Sequence, residues 1–279
     1  MRILAPLLIS AVVTAMPAWA QTIERIKETK QLKIGYRVDA PPLSYAASDG
    51  QPAGYSPLIC VGLAQVIANR LEMADLEVLF EPVDTKDRFE KVASGEIDLL
   101  CGASTITLER RAMVDFSVPT FVDGAAVLLP KGAGSGIADL AGKKVGVRSS
   151  TTTERALETS LKAANVDANT ELFSDHDAGI DALKNGEISA YFADQSILMY
   201  NFFSQNMKED FLFPEQLLTL EKQGLALAKG DSDFRLLIDA GLAEMFAKGT
   251  IQKHFSEAFP GAKPGQGTQA MYLLSPTLP

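Results

Sequence analysis

The run Asp98-Leu-Leu-Cys-Gly-Ala-Ser-Thr-Ile-Thr-Leu-Glu-Arg-Arg-Ala-Met-Val-Asp-Phe-Ser-Val-Pro-Thr-Phe121 says more about this chain than any other part of it. An apolar strand, Ile97 to Cys101, runs into small residues and hydroxyls, Gly102 to Thr107. A short helix carrying Arg110 comes next, and the chain then turns out through Phe116-Ser117-Val118-Pro119. Small residues at the carboxyl end of a strand let backbone groups approach a ligand, and open α/β sheets bind ligands at such ends. Thr107 is placed to cap the helix, with Glu109 in its first turn. Arg110 lies five residues beyond Thr105, so its guanidinium swings back over the hydroxyls and can grip a carboxylate with two parallel bonds. An ordinary strand–loop–helix with a surface arginine carries the same pattern.

Outward from this run, short apolar stretches alternate with helical patterns, which reads as an α/β chain. Strands are expected at Leu32–Tyr36, Leu76–Phe80, Ile97–Cys101, Ala125–Leu129, Lys144–Val147, Glu171–Phe173 and Ala190–Ala193. Helices are expected at Pro57–Leu71, Thr85–Ser94, Thr152–Ala164, Ala178–Asn185, Gln195–Asn206 and Ser232–Lys248. The last of these is expected to bury a stripe formed by Leu236, Leu237, Ala240, Leu242, Ala243 and Phe246. Neither a repeat nor a low-complexity run is present.

Met1 to Ala20 reads as a secretory signal peptide: Arg2 at the start, an apolar stretch from Ile3 to Met16, and Ala18-Trp19-Ala20 as a small-x-small cleavage site. A periplasmic location is the resulting expectation. No cysteine stands directly after the cut, which argues against a lipid anchor, and no other stretch is long and apolar enough to span a membrane. The 259 residues left exceed one comfortable core and suit two lobes. Removing the leader takes away Arg2 and no acid, leaving 25 basic against 35 acidic residues, a net charge of −10. Such a surface argues against nucleic acid as a partner and makes any local cluster of arginines conspicuous.

Cys60 and Cys101 are the two cysteines, and in an oxidising compartment an even pair is expected to be bridged; two small buried thiols are the alternative. Neither has a second Cys or His at ligand spacing, and His176 and His254 are the only histidines, so no metal and no cofactor is expected.

Gly95-x-x-Asp98, Thr105-x-Thr107-x-Glu109-Arg110 and Phe116-Ser117-x-Pro119 resemble the signature of the periplasmic solute-binding proteins for polar amino acids, which serve ABC importers. The likeness extends through Pro41-Pro42-Leu43-Ser44-Tyr45 and Gly54-Tyr55-Ser56 to Gly224-Leu225-Ala226-Leu227-Ala228-Lys229-Gly230-Asp231, covering about Leu32 to Phe259. The resemblance implies a two-lobed binding protein of type II. Each lobe is then a mixed, mainly parallel sheet flanked by helices, with two crossing segments at the hinge. Residues 22–120 plus 222–279 would form lobe 1 and 121–221 lobe 2. The Gly- and Pro-rich tail from Gly261 is expected to be mobile or to lie along lobe 1.

The resemblance also implies site residues. Arg110, with Thr105 and backbone amides near Ala103 and Ser104, would hold an α-carboxylate, and Asp194 the α-ammonium. An N-cap role for Asp194 is the alternative. Ala103 stands where a hydroxyl or glycine is usual. Many relatives clamp the ligand side chain between aromatic rings, whereas this chain offers Arg37-Val38-Asp39 and Asp84-Thr85-Lys86-Asp87-Arg88. Arg37, Arg88 and Arg110 around one cavity repel one another until an anion arrives, which favours a ligand with a second carboxylate. Surface pairing of Arg37 or Arg88 with Asp39, Asp84 or Asp87 is the alternative.

In lobe 2, Arg148-Ser149-Ser150-Thr151-Thr152-Thr153-Glu154 makes a hydroxyl-rich loop at a helix start, with Thr151 or Thr152 as ligand contact or as cap. Arg148 stands where a threonine is usual, and either adds a positive group or reshapes the pocket. His176, between Asp175 and Asp177, is read as charged and within reach of a distal carboxylate, with an exposed loop histidine as the alternative. Together these residues resemble the glutamate/aspartate-binding members. The expected partners are an acidic amino acid and a membrane permease, and the chain is expected to be monomeric. The rival reading is an enzyme of dehydratase type on the same fold, with Glu154 and His176 as acid and base.

Overall fold

The computed structural model describes residues 22–134, 136–214 and 217–275. The expected signal peptide and its cleavage site lie outside the described residues, as do the last four residues of the tail. Two five-stranded sheets, each covered by helices, form two lobes.

The first sheet runs in the order Glu77–Val83, Gln31–Arg37, Leu99–Leu100, Ala226–Ala228, Val114–Phe116. The first three strands are parallel, and Ala226–Ala228 is antiparallel to both of its neighbours. The second sheet runs Asn169–Phe173, Lys144–Arg148, Tyr191–Asp194, Ala125–Pro130, Phe211–Leu212. Again three parallel strands are succeeded by an antiparallel one. This repeated layout puts Arg37, Arg148 and Asp194 at the carboxyl ends of their strands. Those ends are where open sheets bind ligands.

The expected strands and helices are all present, with ends moved by a few residues. Ile97–Cys101 shrinks to Leu99–Leu100, and the helix expected from Thr85 begins at Arg88. Side chains cause that delay: Asp87 accepts from the backbone N–H of Asp84, and Asp84 accepts from that of Lys86. Aspartates locking a turn in this way compete with helix formation. Thr107 caps its helix as expected, accepting from the N–H of Arg110. Cys60 and Cys101 form a disulfide, tying helix Tyr55–Arg70 to the end of strand Leu99–Leu100.

Between the lobes, Phe121–Asp123 and Glu221–Gln223 pair antiparallel. The first of these strands is anchored by an aromatic cluster. Phe121 stacks on Phe259 with ring centroids 5.5 Å apart, and Tyr55, 5.5 Å from Phe121, donates its hydroxyl to the Thr120 carbonyl. The tail is ordered through this region. Helix Gln266–Leu273 packs on the same strand, with the Thr268 hydroxyl donating to the Val122 carbonyl and Met271 buried. The Gly/Pro composition from Gly261 therefore marks a linker before a helix, and apolar contacts made by Met271 and Tyr272 hold that helix in place.

Candidate functional site

Arg37, Arg88, Ala103, Thr105, Arg110, Arg148, Thr151, Thr152, His176 and Asp194 all line one cleft between the two sheets. Thr153, Ala193 and Ile197 complete it. The cavity they enclose is small, about 10 Å³, room for little more than one water molecule. The lobes are thus drawn close together. Ser104 is buried beside the cleft without lining it, and its Oγ has no hydrogen-bond partner.

Arg110 reaches back along its own loop, as its spacing suggested: Nη1 donates to the Thr105 carbonyl at 2.8 Å. The Phe89 ring supports it, 4.8 Å from the guanidinium carbon. Arg88 lies 5.0 Å from the same ring, so one aromatic residue carries two cations. Arg88 is only 1% exposed, and its Nε and Nη1 have no partner. Burial, then the charges of Arg37 and Arg110, push its pKa well down from the ordinary guanidinium value. Leaving a charged donor buried and unpaired is costly, and proteins do so where a ligand completes the set.

Arg37 is also buried, but it is paired. Its Nε and Nη2 donate to Asp39 Oδ1 at 3.0 and 2.6 Å. Gly102 makes room for it, since a Cβ there would sit 3.3 Å from Arg37 Cγ. The ion pair considered for Arg37 therefore exists, inside the cleft and not at the surface. Arg148 donates to the other oxygen of Asp39 and also to Asp84. Burial would raise Asp39, yet Arg37 first and then Arg148 hold it well below the usual carboxylate range.

His176 corrects an expectation. It sits in the first turn of helix His176–Lys184 and is 2% exposed, so it is neither a charged nor an exposed loop residue. Its pKa is pushed down to about 3 by burial first and then by the Arg37 charge, so the imidazole is neutral. Nδ1 shares a hydrogen with the Tyr191 hydroxyl at 3.0 Å, and Nε2 has no partner. Gly179 admits the Tyr191 ring, because a Cβ there would lie 2.0 Å from it. Asp175, whose charge was to sustain the imidazolium, instead caps the helix by accepting from the Ala178 N–H.

Asp194 stands at a helix start without capping it. Its carboxylate accepts from the Thr153 hydroxyl at 3.1 Å and the Gln223 amide at 2.9 Å. Burial, then repulsion from Glu221, raises its pKa above the ordinary range. Asp123 is raised as well, by burial and then by Asp194. Thr151 is a cap, accepting from the Glu154 N–H and donating to the Arg148 carbonyl. Thr152 faces inward, with its Oγ1 3.2 Å from Thr105 Oγ1 and 3.0 Å from Glu221.

The chain matches the model of the bacterial extracellular solute-binding proteins, family 3, over residues 32–260. It belongs to that family. The L-glutamate/L-aspartate-binding protein of Pseudomonas aeruginosa is 29% identical to it over 287 residues, covering 100% of this chain and 95% of the relative. The glutamate/aspartate import solute-binding protein of Escherichia coli is 26% identical, covering 94% and 87%. Among solved structures, an ancestral arginine-binding protein bound to arginine superposes with a TM-score of 0.74 at 28% identity. That match covers 82% of this chain and 98% of the other. The two-lobed type II fold implied by the sequence resemblance is therefore the fold of this solute-binding protein.

Against the enzyme reading, Glu154 does not line the cleft, and its carboxylate accepts from the Ser150 N–H. It therefore makes no acid–base pair with the neutral His176. Among the described residues no cluster of His, Cys, Asp and Glu could hold a metal ion, and no helix is long and apolar enough to cross a membrane.

Sequence reading passes over Glu221 and Gln223 of this solute-binding protein because they fall in a crossing segment. No sequence signal marks them: Glu221, Lys222 and Gln223 are all polar, and only the fold buries the outer two while leaving Lys222 exposed. Glu221 collects the hydroxyls of Thr105, Thr152 and Thr219.

Proposed function

We propose that this protein captures glutamate or aspartate between its lobes in the periplasm and delivers it to the permease of an ABC importer. Residues 22–120 with 222–279 would move as one body against 121–221, the paired strands between them acting as the hinge. Contacts made to both bodies at once drive such closure. Arg110 takes the α-carboxylate, with Thr105 beside it and the backbone of Ala103 and Ser104 at the end of the same strand. Asp194 takes the α-ammonium, and Arg88 the second carboxylate.

The observation that carries this reading is the unpaired state of Arg88. Arg37 and Arg148 have Asp39 and Asp84 as counter-ions, so of the four arginines lining the cleft Arg110 and Arg88 are left without an ion pair among the described residues, and Arg88 alone has buried nitrogens without a partner. A ligand bringing one carboxylate for Arg110 and another for Arg88 fits that demand. Amide analogues fit less well, because they bring no second negative charge. The sequence relatives named above bind the same two amino acids.

Calorimetric titration with L-glutamate, L-aspartate, L-glutamine and L-asparagine tests the proposal. The acids are expected to bind at least ~100-fold more tightly than their amides, the difference of one buried charge-assisted contact. Tighter binding of an amide or of a basic amino acid would refute the ligand assignment.

A pH dependence arises from Asp194. A carboxylate with a raised pKa still holds a proton as pH drops below neutrality, and the ligand ammonium requires the ionised form. Binding must then expel a proton. Affinity is expected to fall as pH drops from neutrality toward the ordinary carboxylate range, by up to ~10-fold per pH unit for one released proton. Titrations in buffers of different ionisation enthalpy measure this directly. Zero proton release across that range would remove Asp194 from the ammonium role.

A further inference from the structure

Arg148 spans the cleft. It ends the strand Lys144–Arg148 of one lobe, is 2% exposed, and reaches two carboxylates of the other. Nε donates to Asp39 Oδ2 at 2.8 Å and Nη2 to Asp84 Oδ2 at 3.0 Å. Nη1 is occupied within its own lobe, by Ser149 Oγ at 3.2 Å and the Phe173 carbonyl at 3.5 Å. Each nitrogen of this guanidinium therefore has an acceptor, whereas Arg88 in the same cleft keeps two nitrogens without one. A second cross-cleft bond lies alongside: the Thr85 hydroxyl donates to the Ser149 carbonyl at 3.1 Å. Asp39 is divided between the lobes, one oxygen serving Arg37 and the other Arg148.

We propose that Arg148 is a positioning residue that latches the closed form through Asp39 and Asp84, and that it sets how long a ligand is held without touching the ligand. This rests on the cleft being the amino-acid site proposed above. The Asp39 and Asp84 contacts join groups from opposite sides of the cleft, so they exist only when it is closed. In an open form Arg148 loses both acids, Asp84 returns to water and Asp39 keeps only Arg37. Contacts made in only one of two states bias the equilibrium by their differential free energy. A ligand entering an open cleft does not meet them, while a ligand leaving must wait for them to break. The effect therefore falls on dissociation and not on association. Because Asp39 also holds Arg37, the latch fixes that cation in place on the other wall.

Radiolabelled L-glutamate and L-aspartate, chased with unlabelled amino acid, give dissociation rates for Arg148→Ser, Asp84→Asn and the Asp39→Asn/Asp84→Asn double variant. Arg148→Ser is expected to speed dissociation 10-fold or more with the association rate within threefold. Asp84→Asn should give a smaller increase, because Asp84 is half exposed. Adding Arg148→Ser to the double variant should change dissociation less than threefold, since its partners are already gone. A loss confined to association, or an undiminished effect in the double variant, would make Arg148 a ligand contact and overturn the proposal. If Arg148→Ser does not fold by circular dichroism, Asp84→Asn decides: unchanged dissociation overturns the latch. If the wild-type chain takes up neither acid, the ligand assignment falls and small-angle scattering of the ligand-free proteins tests the latch by itself. A larger radius of gyration for Arg148→Ser than for wild type supports it, and equal radii overturn it.

Discussion

Arg88→Met is expected to weaken glutamate and aspartate binding by at least ~100-fold and, in the same protein, to raise the melting temperature of the ligand-free form. Both signs come from one fact: the guanidinium is buried with Nε and Nη1 unpartnered. Without ligand, its charge is stripped of water and repelled by those of Arg37 and Arg110 on the same lobe. Methionine fills similar space on the Phe89 ring and brings no charge. Relief of a buried, uncompensated cation is worth on the order of 2 kcal/mol, which in a chain of this size moves the melting point by roughly 4–8 °C. With ligand the balance reverses, because the second carboxylate loses its counter-ion in a site where water cannot replace it. Glutamine and asparagine should lose far less. Differential scanning calorimetry with and without ligand reads both effects, and a lower ligand-free melting point would mean that Arg88 is satisfied in solution.

Arg110→Ala should abolish measurable binding of every α-amino acid, a loss of about 1,000-fold or more. Arg110 is the cation held by the Thr105 carbonyl and the Phe89 ring, aimed along the hydroxyl-lined loop. A planar fork that makes two parallel bonds to a carboxylate contributes several kcal/mol in a dry site, and alanine supplies neither charge nor donors. Unlike the Arg88 change, this loss should not discriminate acids from amides, since all share the α-carboxylate. Arg110→Lys should recover only a small part, because a point charge does not reproduce the fork. Calorimetry across the four amino acids separates the two arginines. Retention of glutamine binding by Arg110→Ala would move the α-carboxylate elsewhere in the cleft.

The two substitutions also show how far the sequence can be read. Arg110 is legible because everything that directs it is local: Thr107 caps its helix, and the guanidinium returns to a carbonyl five residues back. The same holds for the alternation of strands and helices, and for Thr151 as a cap. Parallel-strand logic turns Arg37 and Arg88 toward the cleft mouth with Arg110; all three line the cleft, but Arg37 and Arg88 are buried inside it. Their pairing is not legible. Asp39, two residues from Arg37, reads in the sequence as a surface partner, whereas it joins two lobes. The charge of His176 is misjudged from sequence because Asp175 and Asp177 are its neighbours along the chain, while its state is set by burial first and then by the charge of Arg37, both of them products of distant segments.

By itself the amino-acid sequence determined the alternating elements, the loop that presents Arg110, and the cysteines placed to be bridged, because periodicity, capping and spacing act over a few residues. Tertiary structure alone decided which charges cancel. Ion pairs and desolvation depend on distances between strand ends brought together by closure of the lobes. Through Asp39, that closure satisfies Arg37 and Arg148 together and leaves Arg110 and Arg88 without a counter-ion, Arg88 with two buried nitrogens unpartnered.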